Sequence, residues 1–63
     1  MLIHHEIIDY LQEKDASFLE PISSSEIGCV LNVTPSYVRL VIQSLLVMGK
    51  VRVRRGRGGG YYL

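Results

Sequence analysis

Three arginines and four glycines fill positions 54–60 of the segment RRGRGGGYYL, and an aromatic pair and a leucine close it at 61–63. Arginines in such a setting suit contacts to phosphate oxygens or insertion into a narrow minor groove. The same residues fit three contexts: a disordered basic tail, a phosphate-gripping loop, or the tip of a hairpin. No other chemistry competes with them. No Ser/His/Asp set, paired carboxylates or metal-ligand cluster appears, so no enzyme, metal or cofactor is expected. His4 and His5 are adjacent and would point about 100° apart on a helix, poor spacing for one metal, and are read as solvated. Cys29 is the single cysteine. It allows no intramolecular disulfide and no CxxC clip, and no basic residue lies near it in sequence to activate its thiol. It is read as a small packing residue.

The net charge of +1 conceals a division. Residues 1–33 hold all six acids (Glu6, Asp9, Glu13, Asp15, Glu20, Glu26) against Lys14, a net of −5. Residues 34–63 hold six bases (Arg39, Lys50, Arg52, Arg54, Arg55, Arg57) and no acid, a net of +6. One basic end on a small domain points to a polyanion, and double-stranded DNA is the expected partner. The alternative for these charges is a solvated tip that blocks strand addition. A chain of 63 residues is read as one domain, 1–63. A core of that size rarely supplies more than roughly 3–5 kcal/mol, so a partner is a common need. Polar residues follow the first three, no apolar run approaches a membrane span, and a reducing, cytoplasmic location without membrane contact is expected.

The periodicity supplies the elements that must position these arginines. Ile3, Ile7, Tyr10 and Leu11 make one stripe of a helix over about 2–14. Residues 15–22, DASFLEPI, form a connector in which Pro21 blocks helix and Phe18, Leu19 and Ile22 offer something to bury, with room for a short strand. A capping box opens a second helix, about 23–31: Ser23 faces the N–H of Glu26 and Glu26 reaches back. Ile27 and Leu31 form its buried face. Gly28 costs up to ~1 kcal/mol there, which close approach of another helix would justify. Asn32 suits the left-handed residue after the last turn. Thr34 as N-cap and Pro35 at the first position start a third helix, about 34–48. Its stripe is Val38, Val41, Ile42, Leu45 and Met48, Gly49 stops it, and Lys50 suits its negative end. Two helices joined through Asn32 and Val33 form a helix-turn-helix pattern. Val51 and Val53 then alternate with Arg52 and Arg54, and Tyr61 and Leu63 alternate with Tyr62. Two alternating segments around glycines read as a β-hairpin over about 51–63, so the arginines ride on its tip.

Three helices followed by a basic hairpin define an α+β fold, a three-helix winged helix-turn-helix with a C-terminal β-hairpin wing. The stretch ISSSEIGCVLNVTPSYVRLVIQSLLVMGKV and the wing ending GGGYYL resemble the bacterial iron–sulfur-dependent winged-helix repressors. The resemblance rests on Ile22, Ser23, Glu26, Ile27 and Leu31, and on Thr34, Pro35, Ser36, Tyr37, Val38, Leu45, Gly49 and Val51. In the wing it rests on Arg55, Gly56, Gly58, Gly59, Gly60, Tyr61 and Leu63. It covers about two-thirds of the chain and implies the fold and the DNA-reading half. Those repressors carry a cysteine trio and a dimerisation helix beyond the wing. This sequence has one cysteine and ends at Leu63, so cluster sensing is not carried over. In size it resembles the small PapI-like regulators and the small winged-helix regulators of iron uptake, which act beside a larger protein or alone.

The expected function is that of a sequence-specific, DNA-binding transcriptional regulator. The second helix of such a pair enters the major groove. With Val38 pointing to the core, Ser36, Arg39, Leu40, Gln43 and Val47 face away. Thr34, Ser36, Tyr37, Arg39 and Gln43 are the candidate contacts on this helix, Arg with guanine and Gln with adenine. Tyr37 could instead cap the core. Lys50, Arg52, Arg54, Arg55 and Arg57 complete the DNA-binding set. The alternative is a winged-helix protein-interaction module with weak DNA affinity of its own. It draws on the apolar surplus: Leu2 and Ile8 off the first stripe, Cys29 and Val30 where the resembling family is polar, and Leu40, Leu46 and Val47 off the third. Leu2, Ile8 and Val30 are therefore the candidate interface of a homodimer or of a complex with a larger regulatory protein.

Overall fold

A computed structural model describes residues 2–63. Among them three helices, α1 (Ile3–Glu13), α2 (Ser24–Leu31) and α3 (Pro35–Val47), precede strands β1 (Arg52–Arg54) and β2 (Gly60–Tyr62). The α+β architecture is the one the periodicity indicated, with each helix ending within a residue or so of its expected bounds. None of the described helices is long and apolar enough to cross a membrane.

Local chemistry sets each boundary. Helix α1 ends where Asp15 adopts φ 54°. The Asp15 N–H then donates to the Gln12 carbonyl at 3.0 Å and the Ala16 N–H to that of Leu11 at 2.9 Å, the paired bonds of a Schellman motif. Ala16 is thereby carried into the core. Ser23 caps α2, its Oγ accepting from the Glu26 N–H at 3.1 Å. The reciprocal half of the expected capping box does not form. The Glu26 carboxylate instead accepts from the Tyr10 hydroxyl at 2.7 Å, a tie from α1 to α2. Asn32 holds the left-handed conformation, φ 61° and ψ 45°. Thr34 caps α3 through the Tyr37 N–H at 3.2 Å, and Pro35 occupies the first turn. Gly49, at φ 74°, ends α3 with a second Schellman motif, in which Lys50 N–H reaches the Leu45 carbonyl at 2.9 Å.

The core is one cluster. Ile7 and Leu11 of α1, Ile27 of α2, and Val38, Val41, Ile42 and Leu45 of α3 are buried together with Ala16, Ile22 and Val51. Full burial of each large aliphatic contributes ~1.5–3 kcal/mol. Several expectations are corrected. Met48 is 56% exposed, because the helix turns off at Gly49 before its side chain reaches the core. Phe18 and Leu19 are also exposed; in the connector only Ala16 and Ile22 are buried. Cys29 is exposed rather than packed, since Ile27 and Gly28 take the inward positions of α2.

The strands pair antiparallel with Arg52 opposite Tyr62, Val53 opposite Tyr61 and Arg54 opposite Gly60. The expected short strand in the connector reduces to Ile22. It bridges Tyr61, whose N–H donates to the Ile22 carbonyl at 2.8 Å and whose carbonyl accepts from the Ile22 N–H at 2.9 Å. The connector thus lies along the outer edge of β2. The approach is close: a Cβ on Gly60 would stand 2.6 Å from the Ile22 oxygen.

Candidate nucleic-acid interface

The turn between α2 and α3 decides how α3 is presented. The two axes meet at 109°, within the range of helix-turn-helix pairs. The Val33 N–H donates to the Gly28 carbonyl at 2.9 Å, folding the turn back over α2. A Cβ on Gly28 would lie 2.7 Å from the Val33 oxygen and 3.3 Å from the Pro35 nitrogen. Glycine at 28 is therefore required by the turn and the first residue of α3.

With Val38, Val41, Ile42 and Leu45 turned inward, α3 exposes Ser36, Tyr37, Arg39, Leu40, Gln43 and Val47. Ser36, Arg39 and Gln43 thus share the outer face, as their spacing predicted. Arg39 is already engaged there. Its Nη1 donates to Ser24 Oγ and its Nη2 to Ser36 Oγ, both at 3.2 Å. These bonds tether the guanidinium to the first turns of α2 and α3. Thr34 serves as cap acceptor but keeps its hydroxyl proton free to donate. Tyr37 is 44% exposed at the same end of the helix and does not close the core.

The wing carries the other cations. Arg52, Arg55 and Arg57 are exposed, and Gly56 and Gly58 take φ 99° and 72°, which form the tip between Arg55 and Gly59. Arg54 differs. It is half-buried, its Nη1 donates to the Phe18 carbonyl at 3.0 Å, and its guanidinium lies 5.1 Å from the Phe18 ring centroid. Among the described residues, no arginine hydrogen bond goes to a carboxylate. Lys50 lies apart from the outer face of α3. It lines a groove of about 280 Å³ with Leu2, His4, His5, Ile8, Leu45 and Met48. Leu2 and Ile8 meet there, Leu2 exposed and Ile8 half-buried against the core, whereas Val30 is exposed on α2 and does not join them. The histidines are not equally solvated: His4 is half-buried in that groove and His5 is exposed.

Sequence reasoning missed Ser24 and Phe18. Ser24 was one of three consecutive serines, and nothing local marked it as the partner of Arg39 fifteen positions on. Phe18 is the single phenylalanine of the chain, in a segment otherwise without pattern. The Tyr10 hydroxyl is raised above its ordinary value, chiefly because it donates to Glu26 and secondarily by desolvation.

The outer face of α3 and the basic wing are what a groove-reading module requires. The family model for the winged helix-turn-helix transcription repressor, HrcA DNA-binding, matches residues 2–62. The match falls within the winged helix-turn-helix class that the sequence resembled. No curated protein and no solved structure matches the chain.

Proposed function

This chain belongs to the winged helix-turn-helix transcription repressor family of HrcA DNA-binding domains, and from that premise we propose that it recognises a specific duplex sequence and regulates transcription there. Helix α3 enters the major groove. Arg39 and Gln43 read base edges, while Thr34, Ser36 and Tyr37 contact bases or phosphates near the helix start. The exposed wing arginines hold phosphates or enter the adjacent minor groove. Lys50 contributes to the field rather than to the reading face. Residues 1–63 act as one domain in the cytoplasm, as a homodimer through the Leu2 and Ile8 groove or beside a larger regulatory protein.

The observation that carries this reading is the convergence of Ser36, Arg39 and Gln43 on the outer face of α3. The test is a titration of the purified protein against random duplex at several salt concentrations, then against a selected site. Binding should weaken steeply with salt, log K falling about 0.9 per phosphate neutralised for each unit of log salt. It should also be tighter on the selected site. A second reading, a protein-interaction module, is favoured by Leu40 and Val47, 64% and 88% exposed on that same face. Absence of duplex binding at low salt would select it.

A further inference from the structure

Resting on the reading of the wing as a DNA contact, we propose that Arg54 is a positioning residue that locks the wing to the connector, and that the wing's phosphate contacts fall to Arg52, Arg55 and Arg57. Three segments, β1, β2 and the connector, meet around the Phe18 ring. Arg54 stands on β1 opposite Gly60 of β2. Its Nη1 donates to the Phe18 carbonyl at 3.0 Å, and its Cζ lies over the Phe18 ring, 5.1 Å from the centroid. That ring in turn meets Tyr62 of β2 edge-on, centroids 5.9 Å apart at 86°. The carbonyl bond and the ring contact hold this half-buried guanidinium against the connector, so Arg54 has less freedom to reach a phosphate than the exposed Arg52, Arg55 and Arg57.

The wing needs such a lock. Its strands have three residues each, and a two-stranded hairpin is marginally stable at best without packing. One edge of β2 is held by the Ile22 bridge to Tyr61. That bridge holds β2 at one residue by two hydrogen bonds, and Tyr61 and Tyr62 pack on the core, but neither reaches the tip at 55–59. The Arg54–Phe18–Tyr62 contact supplies the second point, so the direction in which Arg55 and Arg57 project is set before DNA arrives. Ordering them in advance lowers the entropy lost on binding. Lysine is a poorer fit here, because the broad guanidinium with its five donors spans ring and carbonyl together, whereas an ammonium is a compact point charge.

The experiment is a salt-series titration of random duplex with the full chain and its R54A, R54K, F18A and R55A variants. R54A and R54K should each weaken binding about five- to tenfold, the lower end of one cation–π contact plus one hydrogen bond, and F18A, which loses the ring but keeps the backbone carbonyl, about two- to fivefold. All three should keep the wild-type salt slope, and the R54A/F18A double variant should be no weaker than R54A alone. R55A should instead flatten the slope by about 0.9. A flattened slope in R54A, full affinity in R54K, or no effect of F18A would overturn the proposal. Amide exchange at Ile22 and Tyr61 in the DNA-free protein gives a second readout. R54A and F18A should speed it while far-ultraviolet circular dichroism keeps the helical signal. Unchanged exchange would overturn the lock. If the wild-type chain binds no duplex, the DNA reading fails by itself, and the exchange rates still decide whether Arg54 holds the wing.

Discussion

Replacing Gly28 with alanine should destabilise the protein although helix propensity argues the reverse. In an unconstrained helix interior, Gly→Ala gains ~0.8–1.0 kcal/mol. Here the added Cβ would stand 2.7 Å from the Val33 oxygen, 3.3 Å from the Pro35 nitrogen and 3.4 Å from the Thr34 carbonyl carbon. All three are backbone atoms of the α2–α3 turn. The turn cannot withdraw freely, because Val33 N–H is bonded to the Gly28 carbonyl at 2.9 Å. Overpacking of this kind costs ~1–3 kcal/mol, and contact with pinned backbone belongs in the upper half of that range. Subtracting the propensity gain leaves a net loss of ~1–2 kcal/mol, a melting-temperature drop of roughly 4–16 °C for a domain of this size. Thermal unfolding by circular dichroism measures it. Ser25→Ala, on the exposed side of the same helix, is the control and should stay within roughly 0.5 kcal/mol of wild type. The folded Gly28→Ala protein should also bind duplex more weakly, since the displaced turn re-aims α3. A Gly28→Ala protein that melts at or above wild type would refute the argument.

On the proposed function, Gln43→Ala or Arg39→Ala should alter preference among sites by ~1–3 kcal/mol at one base pair; uniform weakening on every sequence would show that α3 is not the reader. Ser24→Ala should loosen the Arg39 guanidinium and blur discrimination at the same base pair as Arg39→Ala, which a panel of single-base operator variants would reveal or deny. Tyr10 titrates above its ordinary value because its hydroxyl donates a hydrogen bond to the Glu26 carboxylate. Its protonated form is thus favoured by folding: the contribution is complete below pH ~10, the unfolded value, and is lost as pH rises through the higher folded value. Tyr10→Phe should remove that alkaline limb from a stability-versus-pH curve, and an unchanged limb would exclude Tyr10 as its source. Ile8→Glu should shift any dimer toward the 7.1 kDa monomer in sedimentation at tens of micromolar; an unaltered distribution would show that the α1 groove is not the interface.

The sequence by itself determined what depends on neighbours along the chain. Apolar spacing placed α1, α2 and α3, because burial on one face of a helix imposes a period of 3.6 residues. Ser23, Asn32, Thr34, Pro35 and Gly49 marked helix ends, because capping is satisfied within a few residues of the bond it completes. The outward set Ser36, Arg39 and Gln43 followed from the same geometry once Val38 was taken as core. Tertiary structure decided everything that depends on residues distant in sequence. Glu26 looked like half of a capping box, yet Tyr10, sixteen residues earlier, captured its carboxylate. Gly28 signalled a close approach, but only the folded turn showed that Val33 and Pro35 make it. Cys29 and Phe18 looked apolar enough to bury and are exposed, since a core this small is filled by the residues its helices aim inward. Among four wing arginines of identical chemistry, only the packing of the connector against β2 set Arg54 apart, because a long flexible side chain takes the partner that the fold brings within reach.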